Sequence, residues 1–302
     1  MERIKQLSYL CLSITLLFLA YFLPKITEFI LATPFVYKPI TYNETYVVVE
    51  VFERGEKVIV RANVSDDLND IDQVRINITD PNNVKKVDFE LMTDTGESCG
   101  TNCTIYEYNY TIQSTDPGGT WDVWVWANDS YDNTASNSTT FKVCVISITL
   151  SPVLADGVNF TGCSPGSTCY AEGNNGDGAT SYNITISAKG CNADVYIKGN
   201  QSALVSDSNQ ILIQNMSVAN STTDDTLTGV DYNPIGTSFA DRLIGKNLAD
   251  GTVLYLKFKL EIPANQPTGV YVAGLKFQAI ESGEEPIDSV SYTHLTLPTT
   301  ER

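Results

Sequence analysis

The chain has 302 residues, 42% of them apolar, which is enough for packed cores and is comfortable for two β domains. Nineteen Lys plus Arg against 36 Asp plus Glu leave a net charge of −17. No basic stripe is present to displace counterions from phosphate, which excludes a nucleic-acid partner, and the acidity repels anionic lipid head groups.

The first element expected in chain order is an export segment. Arg3 and Lys5 precede an uncharged, mostly apolar run from Leu7 to Leu23, closed by Pro24 and Lys25. As a helix those residues span roughly 25 Å, at the short end for crossing a bilayer. Ile30-Leu31-Ala32 is a poor cleavage site because its outer position is bulky. Residues 1–34 are therefore expected to be an uncleaved signal anchor, with a cleaved signal peptide as the alternative. In both cases the basic flank stays inside and everything beyond about residue 35 lies outside. The expected partner of this segment is the membrane itself.

From Thr45 onward, short alternating runs are broken by Asp, Asn, Gly and Pro, the pattern of half-buried strands. Thr45–Glu53, Lys57–Val64, Val74–Thr79, Val84–Met92, Tyr106–Ile112, Trp121–Ala127 and Thr139–Ile146 read as strands. Seven runs in about a hundred residues match the strand count of an immunoglobulin-type sandwich. In the sixth run Val123 and Val125 share one face while Trp124 and Trp126 share the other. Sheet packing accounts for that aromatic stripe, and a glycan platform of Trp121, Trp124 and Trp126 is the competing use.

The run Gly55 to Val64, the Ser65-Asp66-Asp67 turn, Val74 to Pro81, Tyr106 to Ile112 and Gly119-Thr120-Trp121 through Ser130 stand in a familiar order. Together they resemble the repeated immunoglobulin-like modules of archaeal cell-surface proteins, over roughly residues 45–143. The resemblance implies an all-β fold and display in the cell envelope, with other envelope proteins or glycans as partners. It says little about ligand, because such modules serve many roles.

A second unit, 144–289, carries strand candidates Val145–Leu150, Ser181–Ser187, Asp194–Ile197, Gln210–Met216, Val253–Ile262 and Gly269–Ile280. Pro263 to Tyr271 reads as a hairpin connection, and its Pro-x-Gly-x-Tyr ending is similar to surface-layer sandwich domains. No βαβ alternation appears, so the expected fold is two immunoglobulin-like β-sandwiches, 40–143 and 144–289, behind an anchor helix.

Covalent chemistry points to the same compartment. Asn-x-Ser/Thr sequons begin at Asn43, Asn63, Asn77, Asn102, Asn109, Asn128, Asn137, Asn159, Asn183, Asn200, Asn215 and Asn220, all beyond the anchor. They are candidate glycosylation sites, although Asn- and Thr-rich strands also generate sequons by composition alone. Cys11 lies in the apolar run, leaving an even set of Cys99, Cys103, Cys144, Cys163, Cys169 and Cys191. Their spacings lack paired CxxC and nearby His, so disulfides are favoured over zinc. Connectivity stays open; the expected set is 99 with 103, 163 with 169, and 144 with 191.

Catalytic candidates are absent. Val290 to Thr300 looks like the translation of a transposase-derived sequencing adapter, so 290–302 is read as foreign and His294, the one histidine, belongs to it. The natural chain is then expected to continue past Ser289. Gly173 to Gly178 lacks the Lys and helix of a phosphate loop, and no spacing singles out a carboxylate pair for glycoside hydrolysis. Asp66, Asp67, Asn69, Asp70 and Asp72 crowd one turn and could supply oxygen ligands to calcium, with a solvated turn as the leading account. The patch at Asp224, Asp225 and Asp231 is a weaker version. The function expected is a non-enzymatic structural or adhesive surface protein; accessory domains of a truncated protease or glycoside hydrolase, and a carbohydrate-binding module, are the alternatives.

Overall fold

The computed structural model describes residues 33–288 and the backbone of 294–296. The expected anchor, with its run 7–23, and most of the adapter-like end lie outside the described residues. Among the described residues no helix is long and apolar enough to cross a membrane. The described chain is all-β, and its contacts divide it into two compact units. One comprises residues up to Asp116 and Thr120–Phe141; the other comprises Pro117–Gly119 and the chain from Lys142.

The first unit holds β1 (Phe35–Val36), β2 (Ile40–Tyr42), β3 (Val51–Phe52), β4 (Lys57–Ser65) and β5 (Ile71–Thr79). β6 (Lys85–Leu91), β7 (Thr93–Gly100), β8 (Cys103–Thr111), β9 (Gly119–Asp129) and β10 (Thr134–Val143) complete it. One sheet has the order β1-β4-β8-β7, with β2 also on β4, and the other β3-β10-β9-β5-β6. The period of two in the sequence decides which side chains face inward. Val58, Val60, Ala62 and Val64 of β4, Val74, Ile76 and Ile78 of β5, and Trp121, Val123, Val125 and Ala127 of β9 are buried. Register fixes the packing, since Ile76 lies opposite Val125 and Ile78 opposite Val123. The Trp121 ring stacks 5.6 Å from Phe141 in its own sheet and lies 5.8 Å from Tyr110 of the facing sheet, so the two layers share one core.

Sequence periodicity misplaces two strands here. The run Thr45–Glu53 shrinks to Val51–Phe52 because the Asn43 carboxamide accepts the backbone N–H groups of Thr45 and Val47 and closes a turn. The expected strand Thr139–Ile146 is two strands, β10 and β11 (Val145–Leu150), separated at Cys144, just past the Phe141–Lys142 division between the units.

The second unit continues with the short helix α1 (Pro152–Asp156), capped by the Ser151 hydroxyl, then β12 (Thr168–Tyr170), β13 (Asn183–Lys189) and β14 (Ala193–Gly199). β15 (Ala203–Ser206), β16 (Asn209–Leu212), β17 (Met216–Ser221) and β18 (Asn233–Pro234) follow. β19 (Leu243–Leu248), β20 (Val253–Glu261), β21 (Gly274–Glu281) and β22 (His294–Thr296) end the series. One sheet runs β11-β13-β20-β17-β18 with β12 on β20, a second β19-β14-β21-β22, and β15-β16 form a ribbon. Leu254, Leu256, Phe258 and Leu260 of β20 and Val195, Ile197, Leu275 and Phe277 of β14 and β21 fill one continuous core.

The segment from Pro263 to Tyr271 is not a hairpin. It carries the chain from β20 in one sheet to β21 in the other, and the buried Tyr271 pins it by donating its hydroxyl to the Pro267 carbonyl at 2.7 Å. The run Gln210–Met216 divides into β16 and β17 around a single 3-10 turn at Ile213–Asn215.

Six cysteines form three bridges, Cys99–Cys103, Cys144–Cys191 and Cys163–Cys169, with Cα separations of 5.1, 5.2 and 5.7 Å. The first closes the β7–β8 turn, where Gly100 lies opposite Cys103. The second sits just past the end of the β11–β13 ladder, in which Val145 lies opposite Lys189.

Candidate functional site

The turn between β4 and β5 and the turn between β9 and β10 meet at three carboxylates. Asp66, Asp70 and Asp129 each place an oxygen within 4.8 Å of the other two. The local sequence dictates each turn. The Asp66 carboxylate accepts the Leu68 N–H at 2.8 Å, its carbonyl accepts the Asn69 N–H, and Asn69 turns the chain at a φ of 55°. Asp129 does the same across the way, accepting the N–H groups of Tyr131 and Asn133 at 2.8 and 2.9 Å. The two turns are tied together by Ser130, whose hydroxyl donates to the Asp70 carboxylate at 2.6 Å and whose N–H donates to the Asp70 carbonyl.

The electrostatics of this cluster are unusual. Asp66 is only 2% exposed and Asp129 only 1%. Asp66 Oδ2 and Asp70 Oδ1 are buried and accept no hydrogen bond. No ion pair among the described residues includes any of the three. Burial pushes the Asp66 carboxyl up; the Leu68 N–H pulls it part of the way back, and the Asp70 and Asp129 carboxylates push it further. Asn128, beside Asp129, adds another buried oxygen without a donor.

Two of the five residues expected as cation ligands are therefore in the cluster and three are not. Asp67 and Asn69 are exposed, and Asp67 offers its carbonyl to the Asn102 carboxamide. Asp72 is exposed on β5, 3.4 Å from the Asn128 carboxamide nitrogen. Asp129 escaped notice because its contribution depends on β5 pairing with β9, which sets Ile71 opposite Asp129. The polar turn Asp129-Ser130-Tyr131-Asp132-Asn133 was the available signal. Of the weaker patch, Asp224 closes its own turn onto Thr226 and Thr228, and the Thr226 hydroxyl foremost holds its carboxyl below the usual range. No other group of three such ligands among the described residues comes as close together.

The remaining candidates separate by burial. Trp121 is fully buried and cannot belong to a glycan platform, because position 121 has the inward parity of Val123 and Val125. Trp124 and Trp126 are half-buried on the outer face, flanking Phe89 at centroid distances of 6.2 and 5.2 Å, and the Arg75 guanidinium lies 5.0 Å from the Phe89 ring. Among the sequons, Asn102, Asn109 and Asn200 are exposed. Asn128 is 9% exposed, with its carboxamide donating to the Asp129 carbonyl, so the folded unit does not present it for glycosylation.

No family model matches the chain, and no curated protein matches it in sequence. Solved structures overlap with it only loosely. The C-terminal domain of the Streptococcus agalactiae AgI/II polypeptide BspA is 10% identical with a TM-score of 0.31, covering 88% of this chain and 100% of that one. A family 123 glycoside hydrolase from Clostridium perfringens is 11% identical with a TM-score of 0.25, covering 51% of this chain and 26% of that one. Dimeric latent PorU from Porphyromonas gingivalis is 11% identical with a TM-score of 0.29, covering 92% of this chain and 21% of that one. Likenesses this slight carry no argument about function.

Proposed function

We propose that this chain is an exported, non-enzymatic envelope protein that displays two immunoglobulin-like sandwich modules outside the cell, in a structural or adhesive role. The observation that carries the reading is the set of three cystine bridges, which form and persist in oxidising compartments. The two separately cored β units suit display, since each keeps its shape by its own packing. The apolar run from Leu7 to Leu23 supplies the tether.

Protease shaving of intact cells tests this. Externally added trypsin should digest the protein, and the membrane fraction should retain its Met1 end. Protection in intact cells overturns export. A mature N-terminus near Thr33 in the medium leaves export standing and removes the tether. The purified chain should turn over neither peptidase nor glycosidase substrates; activity that falls when one named carboxylate becomes an amide overturns the non-enzymatic role.

A further inference from the structure

We propose that Asp66, Asp70 and Asp129 bind one Ca²⁺ ion, which locks the β4–β5 turn to the β9–β10 turn of the first unit. The proposal goes beyond the display role and does not depend on it. Two observations carry it besides the clustering of acids. Asp66 is 98% buried by its 2% exposure, its Oδ2 has no donor, and its carboxylate brings an oxygen within 4.8 Å of the other two. Asp70 Oδ1 is likewise buried with no donor, while its second oxygen is taken by Ser130. A buried anionic oxygen without a partner is costly, and cation coordination satisfies several at once.

The geometry suits calcium. Three oxygens no more than 4.8 Å apart can all lie within roughly 2.8 Å of a common point, close to the Ca²⁺–oxygen range of about 2.3–2.6 Å. Mg²⁺ demands about 2.0–2.1 Å in a near-ideal octahedron, which turns of this kind satisfy less readily. The two turns already exchange hydrogen bonds through Ser130, so an ion here braces existing contacts and draws the carboxylates in by a few tenths of an ångström at most. The other contacts of the carboxylates are with backbone N–H groups, Ser130 and the Asn133 carboxamide, none of which supplies a positive charge.

The chain contains its own control. All three tryptophans lie on β9, in the first unit, so tryptophan fluorescence reports that unit alone. The full chain, stripped with EDTA, is unfolded by urea with and without CaCl₂, following tryptophan emission and, in parallel, far-ultraviolet circular dichroism. At a free Ca²⁺ about a hundred times Kd, the folded-to-unfolded ratio of the first unit should rise about 100-fold. The transition of the second unit should stay in place, and MgCl₂ at the same concentration should do much less. Calorimetric titration should give one Ca²⁺ per chain. Asp70→Asn and, independently, Asp129→Asn should abolish the Ca²⁺ response. Asp70→Asn should leave the first unit at least as stable as the original in EDTA, since it removes like-charge repulsion and keeps an acceptor for Ser130, whereas Asp129→Asn also loses the acceptor of the Asn133 carboxamide and is read for its Ca²⁺ response alone. No shift at 10 mM CaCl₂, an equal shift in both units, or a full response retained in both variants would each overturn the proposal.

Discussion

Asp116 illustrates how a buried charge is held in the first unit. It is 2% exposed, yet its carboxylate accepts the Tyr110 hydroxyl at 2.6 Å and the Gln113 N–H at 2.8 Å and pairs with Lys86 at 3.0 Å. Burial alone pushes its carboxyl up, but Tyr110, Gln113 and Lys86 together outweigh burial and hold it below the ordinary Asp range. Lys86 is pushed up in return, chiefly by Asp116. A depressed carboxyl contributes stability that is complete above its unfolded pKa of about 4 and is lost as pH falls through the folded value. Asp116→Asn should therefore cost on the order of 1–3 kcal/mol at pH 7, and the gap from the original chain should narrow steadily below about pH 4. Urea midpoints followed by tryptophan emission between pH 7 and 2.5 measure it; a gap that stays constant to pH 2.5 contradicts the ionised network. In the second unit Lys198, with Ser238 and the Phe239 N–H, holds Asp288 down at about 2 by the same means.

At the scale of elements, β9 sets the clearest test of inward and outward parity. Trp121→Ala should cost about 3–5 kcal/mol, because it empties a fully buried site between Phe141 and Tyr110. Trp124→Ala removes an outer-face partner of Phe89 and should cost about 0.5–1.5 kcal/mol. Denaturation midpoints of the two variants check the order, and a reversal means the strand faces the other way. β4, β5, β9 and β20 were legible because one face of each is a row of apolar residues at every second position. β7 was not, since Thr93 to Gly100 is almost wholly exposed and is held in place by pairing with β8 and by a cystine. The turn at Asn43 hid inside an apolar-looking run because a side-chain oxygen captured the N–H groups a strand would have used. The carboxylate cluster was legible in two of its three residues for a similar reason: Asp66 and Asp70 are close in sequence, whereas Asp129 joins them only through sheet pairing.

For the molecule as a whole, the bridge between Cys144 and Cys191 has a mechanical consequence. In the display role proposed above, load would pass through the chain, and a covalent link decides how much of that chain can pay out when a unit opens under tension. The 47-residue separation between the two cysteines is bypassed while the bridge is intact. At the reach of an extended chain those residues amount to about 160 Å of length, held in reserve behind a bond that tension along the backbone does not break. Pulling the chain from both ends in an optical trap should therefore show the second unit lengthening by about 160 Å more after reduction than before it. An identical extension in both states would mean that the bridge bears no load. Oxidised, the unit pays out only the chain outside the bridged loop; reduced, it releases the loop as well.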